Sequence, residues 1–244
     1  MCSTKVGHFL KQYLPNKPHK WGFKLFVLCS LLGYAYKFII YAGKENEERP
    51  PDEPDIGVVA QTVMKILRVV SRQRNHIVYF DNYYTSIPLL HFLKTQGIYS
   101  LGTIQRNRLG KTCKLPSKQE VMKSSVPRGT YAEYTTNVED VEITAVSWKD
   151  NKQVILTSTY VGAEPVEKIE RYDKKEKRKI KIKCPRLVME YNAHMGGVDL
   201  MDAHLGRYKI QIKSRKRYMR IFNHLLDLNI MDSLQASTQS KKHP

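Results

Sequence analysis

Strand-like and helix-like periodicity alternate through the first hundred residues, and this alternation constrains the fold more than any other feature of the sequence. Gly57 opens one helical pattern, and Pro88 lies at the start of a second, which Gly97 ends. The short apolar runs around these helices are rich in aromatic and branched residues, as strands are. The predicted order is strand, strand, helix, strand, helix, strand, at 23–28, 34–41, 57–75, 76–80, 88–97 and 99–104. This order predicts an α/β fold with a mixed sheet and flanking helices.

The apolar segment from 25 to 41 allows two interpretations. Residues 25–36 carry no charge, but Lys37 interrupts the longer run, which falls short of the roughly 20 residues of a membrane-spanning helix. Gly33 divides the segment into two strand-like halves. We therefore predict a buried β-hairpin and no membrane span, with a membrane helix as the alternative.

The middle of the chain has a different pattern. Helical periodicity is absent between Arg106 and about Lys183, and alternating stretches predict strands at 130–136, 141–148 and 154–160. Helical spacing returns after Val188, and its last part places five apolar side chains on one predicted face: Tyr218, Ile221, Phe222, Leu225 and Leu228. The predicted parts are the first part of a core (1–105), a β-rich insertion with a basic run (106–187), the last, helical part of the core (188–236) and a tail (237–244).

Positive charge is concentrated in two runs. The chain carries 41 Lys and Arg against 23 Asp and Glu, a formal charge of +18, which repels itself unless a polyanion offsets it. Residues 168–186 hold ten Lys or Arg and three acids, whereas residues 203–226 hold seven and none. Nucleic acid is the predicted partner, with an anionic membrane surface or a merely solvated face as alternatives. The candidate phosphate-contacting residues of the second run are Lys209, Lys213, Arg215, Lys216, Arg217 and Arg220.

The cysteines predict no metal finger. Cys2, Cys29, Cys113 and Cys184 are scattered, and no two of them have the C-x2-C spacing of a zinc site. We interpret them as reduced, mostly buried thiols rather than as a disulfide framework.

Three carboxylates occupy positions that suit phosphoryl-transfer chemistry. The short apolar run at 76–80 predicts a buried strand of an α/β sheet. Asp81 follows this strand, where such sheets place ligands, although an Asp here also caps turns. Asp199 and Asp202 lie three residues apart at the predicted start of a helix, where acids also complement the helix dipole. Together, these three carboxylates are acids of the kind that a two-metal site needs. Such a site usually has one more acid on the first strand of the same sheet.

Four stretches of the sequence form a specific combination of motifs. They are FLKQYLPNKPHKWGFK from Phe9, YFDNYYTS from Tyr79, YNAHMGGVDLMD from Tyr191 and IFNHLLD from Ile221. With these stretches the chain resembles the transposase domain of the piggyBac family over nearly its whole length. The resemblance implies an RNase H-like core interrupted by a β-rich insertion. It also implies cut-and-paste transposition at TTAA targets by a DDD site that holds two Mg²⁺ ions.

The resemblance assigns a role to each acid. Asp81 matches the second catalytic Asp and Asp199 the third, so both are candidate metal ligands, and Asp202 matches the auxiliary Asp that follows. The first catalytic Asp follows a Cys at the end of the first strand in the family, but here Cys29 is followed by Ser30. A neutral hydroxyl is a poor ligand for a hard cation, which prefers carboxylate oxygen. We therefore predict weak or lost Mg²⁺ binding and a DNA-binding domain that is degraded as a catalyst.

Two alternatives to this function remain open. One is an active metal-dependent transposase or nuclease that uses another acid, for which the loop residues Glu45, Glu47 and Glu48 are weak candidates. The other is a domesticated protein-interaction module without DNA chemistry. Salt-dependent DNA affinity distinguishes the second alternative, and metal-dependent cleavage the first.

The resemblance also carries expectations about partners and extent. It implies a nuclear protein whose partner is double-stranded DNA, with no membrane and no small-molecule substrate. It begins shortly before the first catalytic strand and ends before the family's cysteine-rich zinc module. We therefore expect a transposase domain truncated at both ends, and a homodimer only if the N-terminal part were present.

Overall fold

The computed structural model describes residues 2–4, 7–15, 17, 19–43, 50–110, 112–174, 177–210 and 216–240. Its strands are β1 (Cys2–Ser3), β2 (Lys11–Tyr13), β3 (Trp21–Phe23), β4 (Leu25–Cys29), β5 (Ala35–Ile40), β6 (His76–Phe80), β7 (Ile98–Thr103), β8 (Tyr131–Val138), β9 (Val141–Lys149), β10 (Gln153–Ser158), β11 (Glu167–Asp173) and β12 (Arg178–Cys184). Its helices are α1 (Val58–Leu67), α2 (Ile87–Thr95), α3 (Lys118–Val121), α4 (Arg186–His194), α5 (Gly197–Arg207) and α6 (Arg217–Ser240). The loop residues Glu45, Glu47 and Glu48 lie outside the described residues.

The chain forms two compact units, and the first comprises Met1–Pro54, Lys65–Val69 and Gly196–Pro244. Its first three strands form an antiparallel sheet in the order β1-β3-β2. β4 and β5 pair as the predicted hairpin, although only Phe26 of the two strands is buried. The core against which β4, α5 and α6 pack consists of Met201, Leu205, Leu228 and Met231, with Val27 and Cys29 beside them.

The second unit comprises Asp55–Met64 and Val70–Met195 and contains a five-stranded mixed sheet in the order β6-β7-β10-β9-β8. β6 and β7 are parallel, and α2 forms the crossover between them. The predicted strands at 130–136, 141–148 and 154–160 are β8, β9 and β10, which continue the same sheet in antiparallel order. β11 and β12 form a separate two-stranded hairpin.

The prediction that residues 76–80 form a buried strand is wrong about burial. β6 has the predicted bounds, but it lies at an edge of the five-stranded sheet, where His76 and Ile77 are exposed and only Phe80 is buried. An apolar run does not reveal its place in the sheet, because that place depends on which distant strand pairs with β7. Here β10 occupies the other side of β7.

The predicted apolar face of the last helix is also only partly correct. Leu228 is buried, but Tyr218 and Phe222 are 62% and 51% exposed. The buried side of α6 includes instead Asn223 and Asp227, and the Asp227 carboxylate accepts a hydrogen bond from the Ile210 N–H at 3.0 Å. Packing against α5 and β1 thus sets the helix rotation. Over the described ranges, no helix combines the length and apolar character that a bilayer span requires.

Candidate catalytic and nucleic-acid-binding residues

Ser30 directly follows β4, and its side chain closes the turn of the β4–β5 hairpin. The hydroxyl Oγ accepts hydrogen bonds from the N–H groups of Leu32 at 3.3 Å and Tyr34 at 3.1 Å. The Ser30 carbonyl accepts a further bond from the Gly33 N–H at 3.1 Å. Because a hydroxyl oxygen has two lone pairs, both are used inside the turn. Ser30 is therefore a turn cap in this structure.

Two glycines bring the Ser30 turn against the start of α5. A Cβ built on Gly197 would lie 2.2 Å from the carbonyl oxygen of Ser30. A Cβ on Gly33, whose φ is +87°, would lie 3.0 Å from the backbone nitrogen of Met201. Neither position has room for a side chain. The turn that carries Ser30 thus contacts the backbone of the helix that carries Asp199 and Asp202.

Asp199 and Asp202 lie in different environments on α5. Asp199, in the first turn, is exposed, whereas Asp202 is half-buried and lines a cavity of about 450 Å³ within the first unit. Burial, followed by the carboxylates of Asp232 and Asp202, raises the pKa of Cys29 to about 12. Burial lowers the pKa of His224, and the Asp202 carboxylate opposes that change. The Asp202 carboxylate thus raises the pKa of both Cys29 and His224, although burial dominates at each of them.

Asp81 directly follows β6 in the second unit, and it also caps a turn. Its Oδ1 accepts a hydrogen bond from the Tyr83 N–H, and its carbonyl accepts one from the Thr85 hydroxyl at 2.9 Å. The residue is exposed. Burial and then the Asp81 charge raise the pKa of Tyr84 to about 12, and burial with Asp81 raises that of Tyr191. The turn-capping interpretation that the sequence allowed is therefore correct.

Arg108 holds the Asp81 loop, although no local sequence signal points to it. Its Nη1 donates to the carbonyls of Asn82 at 2.8 Å, Tyr83 at 2.9 Å and Thr85 at 2.9 Å. On the β7 side of the loop, a Cβ built on Gly102 would lie 2.4 Å from Thr85 Oγ1. The loop is thus fixed by one guanidinium and by one close backbone approach.

The second basic run is described only in part. Lys213 and Arg215 lie outside the described residues, and so does the side chain of Arg217. Lys209 and Lys216 are exposed on either side of that gap, and the neighbouring Tyr208 and Tyr218 are 64% and 62% exposed. Arg220 is half-buried, and its Nε has no hydrogen-bond partner within the described residues.

The side chain at position 30 does not fit the ligand set of a two-metal site. Within the described ranges, no three His, Cys, Asp or Glu side chains are grouped closely enough to hold an ion. The Ser30 hydroxyl is neutral and already accepts two hydrogen bonds, whereas Mg²⁺ prefers carboxylate oxygens. Ser30, Asp199 and Asp202 belong to the first unit and Asp81 to the second, so the convergence of all three acids stays a prediction.

Comparisons with known proteins identify similar chains. A family model described as Transposase IS4 matches residues 1–233. PiggyBac transposable element-derived protein 3 from Homo sapiens is 29% identical over 214 residues, which are 86% of this chain and 34% of that protein. The human PiggyBac transposable element-derived protein 2 is 28% identical over 238 residues, 96% of this chain and 39% of the relative. The chain therefore spans between a third and two fifths of the length of these curated relatives.

A solved structure has the same fold. The cryo-EM structure of a piggyBac transposase synaptic complex with hairpin DNA matches with a TM-score of 0.71 and 22% sequence identity, over 100% of this chain and 47% of that one. This likeness confirms the predicted fold class, a mixed α/β fold with an RNase H-like core.

Proposed function

Since the chain belongs to the Transposase IS4 family, with piggyBac-type relatives, we propose that it is a transposase-derived DNA-binding domain whose catalytic site has lost its first acid. The observation that carries this proposal is the hydrogen bonding of the Ser30 hydroxyl. The family motif has a carboxylate at this position, and the serine hydroxyl here is used within the hairpin turn.

Charge considerations support the loss of catalysis. Without a carboxylate at position 30, the first unit offers only Asp199 and Asp202 from the motif, and a hydroxyl adds no negative charge to hold a divalent cation. The side-chain oxygens of Asp81 and Ser30 both accept hydrogen bonds from backbone N–H groups and so cap turns. Within the first unit, the turn that carries Ser30 still contacts α5, but position 30 supplies no carboxylate.

Metal titration tests the assignment of Ser30. Asp at position 30 can cap the same turn, because its oxygens accept the same N–H groups, and it adds a charge beside α5. We expect Ser30→Asp to bind Mn²⁺ more tightly than the unmodified chain in isothermal titration calorimetry. Ser30→Asn is the matched control, since it caps the turn without charge. Equal Mn²⁺ affinity for all three proteins would contradict the assignment.

The second basic run supports the DNA-binding part of the proposal. Residues 203–226 contain no acid, and Lys209 and Lys216 are exposed beside exposed tyrosines. Lysine ammonium groups and tyrosine hydroxyls are usual donors to phosphate oxygens, and such contacts carry affinity without sequence information. The proposed partner is therefore the backbone of double-stranded DNA.

Salt-dependent affinity tests this partner. We expect a labelled DNA duplex to bind with an affinity that falls steeply with salt. Lys209→Gln with Lys216→Gln is expected to reduce the slope of log K against log salt by about 1 per lysine removed. Lys118→Gln with Lys123→Gln removes the same charge from exposed positions elsewhere and serves as the control. An affinity that the first pair leaves unchanged would remove this segment from the interface.

A nuclear location follows from the proposed partner, and we propose it on that ground. Imaging of a fluorescently tagged chain tests it, with uniform exclusion from the nucleus as the contradicting result. The homodimer stays a prediction for a longer protein.

A further inference from the structure

One face of the β11–β12 hairpin consists of exposed residues. Directly opposite residues of an antiparallel pair lie on the same face, and the register pairs Lys168 with Lys183, Glu170 with Lys181 and Tyr172 with Lys179. All six residues are exposed. These six residues form the lysine face. It combines four ammonium groups, one carboxylate and one phenol.

The other face of the hairpin fixes its orientation. Ile182 and Cys184 are 5% and 0% exposed and belong to the same core cluster as Trp148. The Trp148 indole N–H donates to the Lys183 carbonyl at 2.9 Å, so β12 is also anchored through its backbone. Because side chains alternate along a strand, this anchoring makes the lysines point outward.

The charges of the lysine face are not balanced internally. Lys168 and Lys183 are directly opposite, and like charges in such pairs destabilise a sheet. Glu170 forms an ion pair with Lys179 at 3.7 Å. Lys168, Lys181 and Lys183 have no hydrogen bond or ion pair from their side chains to any residue in the described part of the chain. A polyanion would offset this repulsion.

We propose that the lysine face binds the sugar–phosphate backbone of double-stranded DNA. This inference rests on the proposed DNA-binding function and adds a second surface to it, on the second unit. Alternate residues of a strand are about 6.6 Å apart, so Lys179, Lys181 and Lys183 form a linear row of charges.

The composition of the lysine face favours backbone contact over base recognition. It contains no Arg, whose planar guanidinium forms bidentate bonds with a guanine edge, and no Asn or Gln, whose amides do so with adenine. Tyr172 is 57% exposed and adds a hydroxyl donor of the kind that contacts phosphate. We therefore expect binding that varies little with DNA sequence and strongly with salt.

A matched pair of triple variants tests the inference. Lys179→Gln, Lys181→Gln and Lys183→Gln together remove three charges from the lysine face. Lys114→Gln, Lys118→Gln and Lys152→Gln remove three from exposed positions outside it. With a labelled duplex and a salt series, we expect the first variant to reduce the log K against log salt slope by about 3, and the second to leave it nearly unchanged. The melting temperature of the first variant should not fall, because its substituted side chains are exposed.

Each other result has a distinct meaning. Equal losses in both triple variants would show that only net charge matters and would overturn the lysine face. Tighter binding of a single-stranded RNA of equal length than of the duplex would overturn the DNA assignment. If Lys209→Gln with Lys216→Gln weakens binding and the lysine-face variant does not, the inference fails while the proposed function stands. If the unmodified chain does not bind the duplex, both fail.

Discussion

The carbonyl oxygen of Ser30 occupies the space that a side chain at position 197 would need, since a Cβ built on Gly197 would lie only 2.2 Å from it. This contact joins the turn after β4 to the helix that carries Asp199 and Asp202. Ser30 therefore occupies the position of the motif's first acid, and its backbone contacts α5. Within the first unit, the turn and the helix therefore stay in contact, and Ser30 brings no carboxylate to that contact.

Gly197→Ala is expected to destabilise the first unit. Alanine normally stabilises a helix relative to glycine, but here its methyl group would collide with backbone, and overpacking of this kind costs about 1–3 kcal/mol. Gly206→Ala, in the same helix, is the control because a Cβ there would meet nothing within 4 Å. It should stabilise the protein by about 0.5–1 kcal/mol. Urea unfolding measures both, and a stabilised Gly197→Ala would contradict the close contact.

Arg108→Gln is expected to loosen the loop after β6. The substitution removes the charged donor shared by the carbonyls of Asn82, Tyr83 and Thr85, and hydrogen bonds to charged groups contribute about 1.5–3 kcal/mol. Arg106→Gln is the control, since the guanidinium of that exposed residue donates to a single carbonyl among the described residues, that of Pro116 at 3.2 Å. Hydrogen exchange over residues 82–86 should accelerate in the first variant only. Equal exchange in both would remove the proposed role of Arg108.

His224 is expected to make the first unit less stable in mild acid. Burial lowers its pKa below the ordinary value of 6.5, while Asp202 and Asp227 oppose the shift. Below pH 6.5 the unfolded chain therefore binds a proton that the folded His224 resists, so stability falls as the pH falls. Above that pH the residue has no such effect.

Urea midpoints between pH 7.5 and 5.5 measure this dependence. His224→Gln should flatten the curve by an amount that cannot exceed about 1.4 kcal/mol per pH unit. The other histidines are common to both proteins and cancel in the comparison. Identical pH profiles for the two proteins would contradict the shift.

Local chemistry explains why many elements could be predicted from the sequence. Pro88 lies in the first turn of α2, which ends at Thr95, and the following Gly97 has a φ of +69°. The predicted strand at 141–148 is β9, which ends one residue later, at Lys149. Each of these boundaries depends on residues within a few positions of it.

Other features depend on distant contacts and had no such signal. The burial of Asp227 and the exposure of Phe222 follow from how α6 packs, although the apolar pattern favours the reverse. The sequence identifies Ser30 and Asp81 as candidates and allows Asp81 to cap a turn, but it gives no sign that the Ser30 side chain also caps one. Arg108 contacts carbonyls 23 to 26 residues away, and only the folded chain brings them together.

Nicking of a supercoiled plasmid in Mg²⁺ tests most directly whether the chain binds DNA without cutting it. We predict that the unmodified chain at saturating concentration yields no more nicked product than an Asp199→Asn variant. Mg²⁺-dependent nicking by the unmodified chain that Asp199→Asn abolishes and Ser30→Ala leaves intact would contradict it.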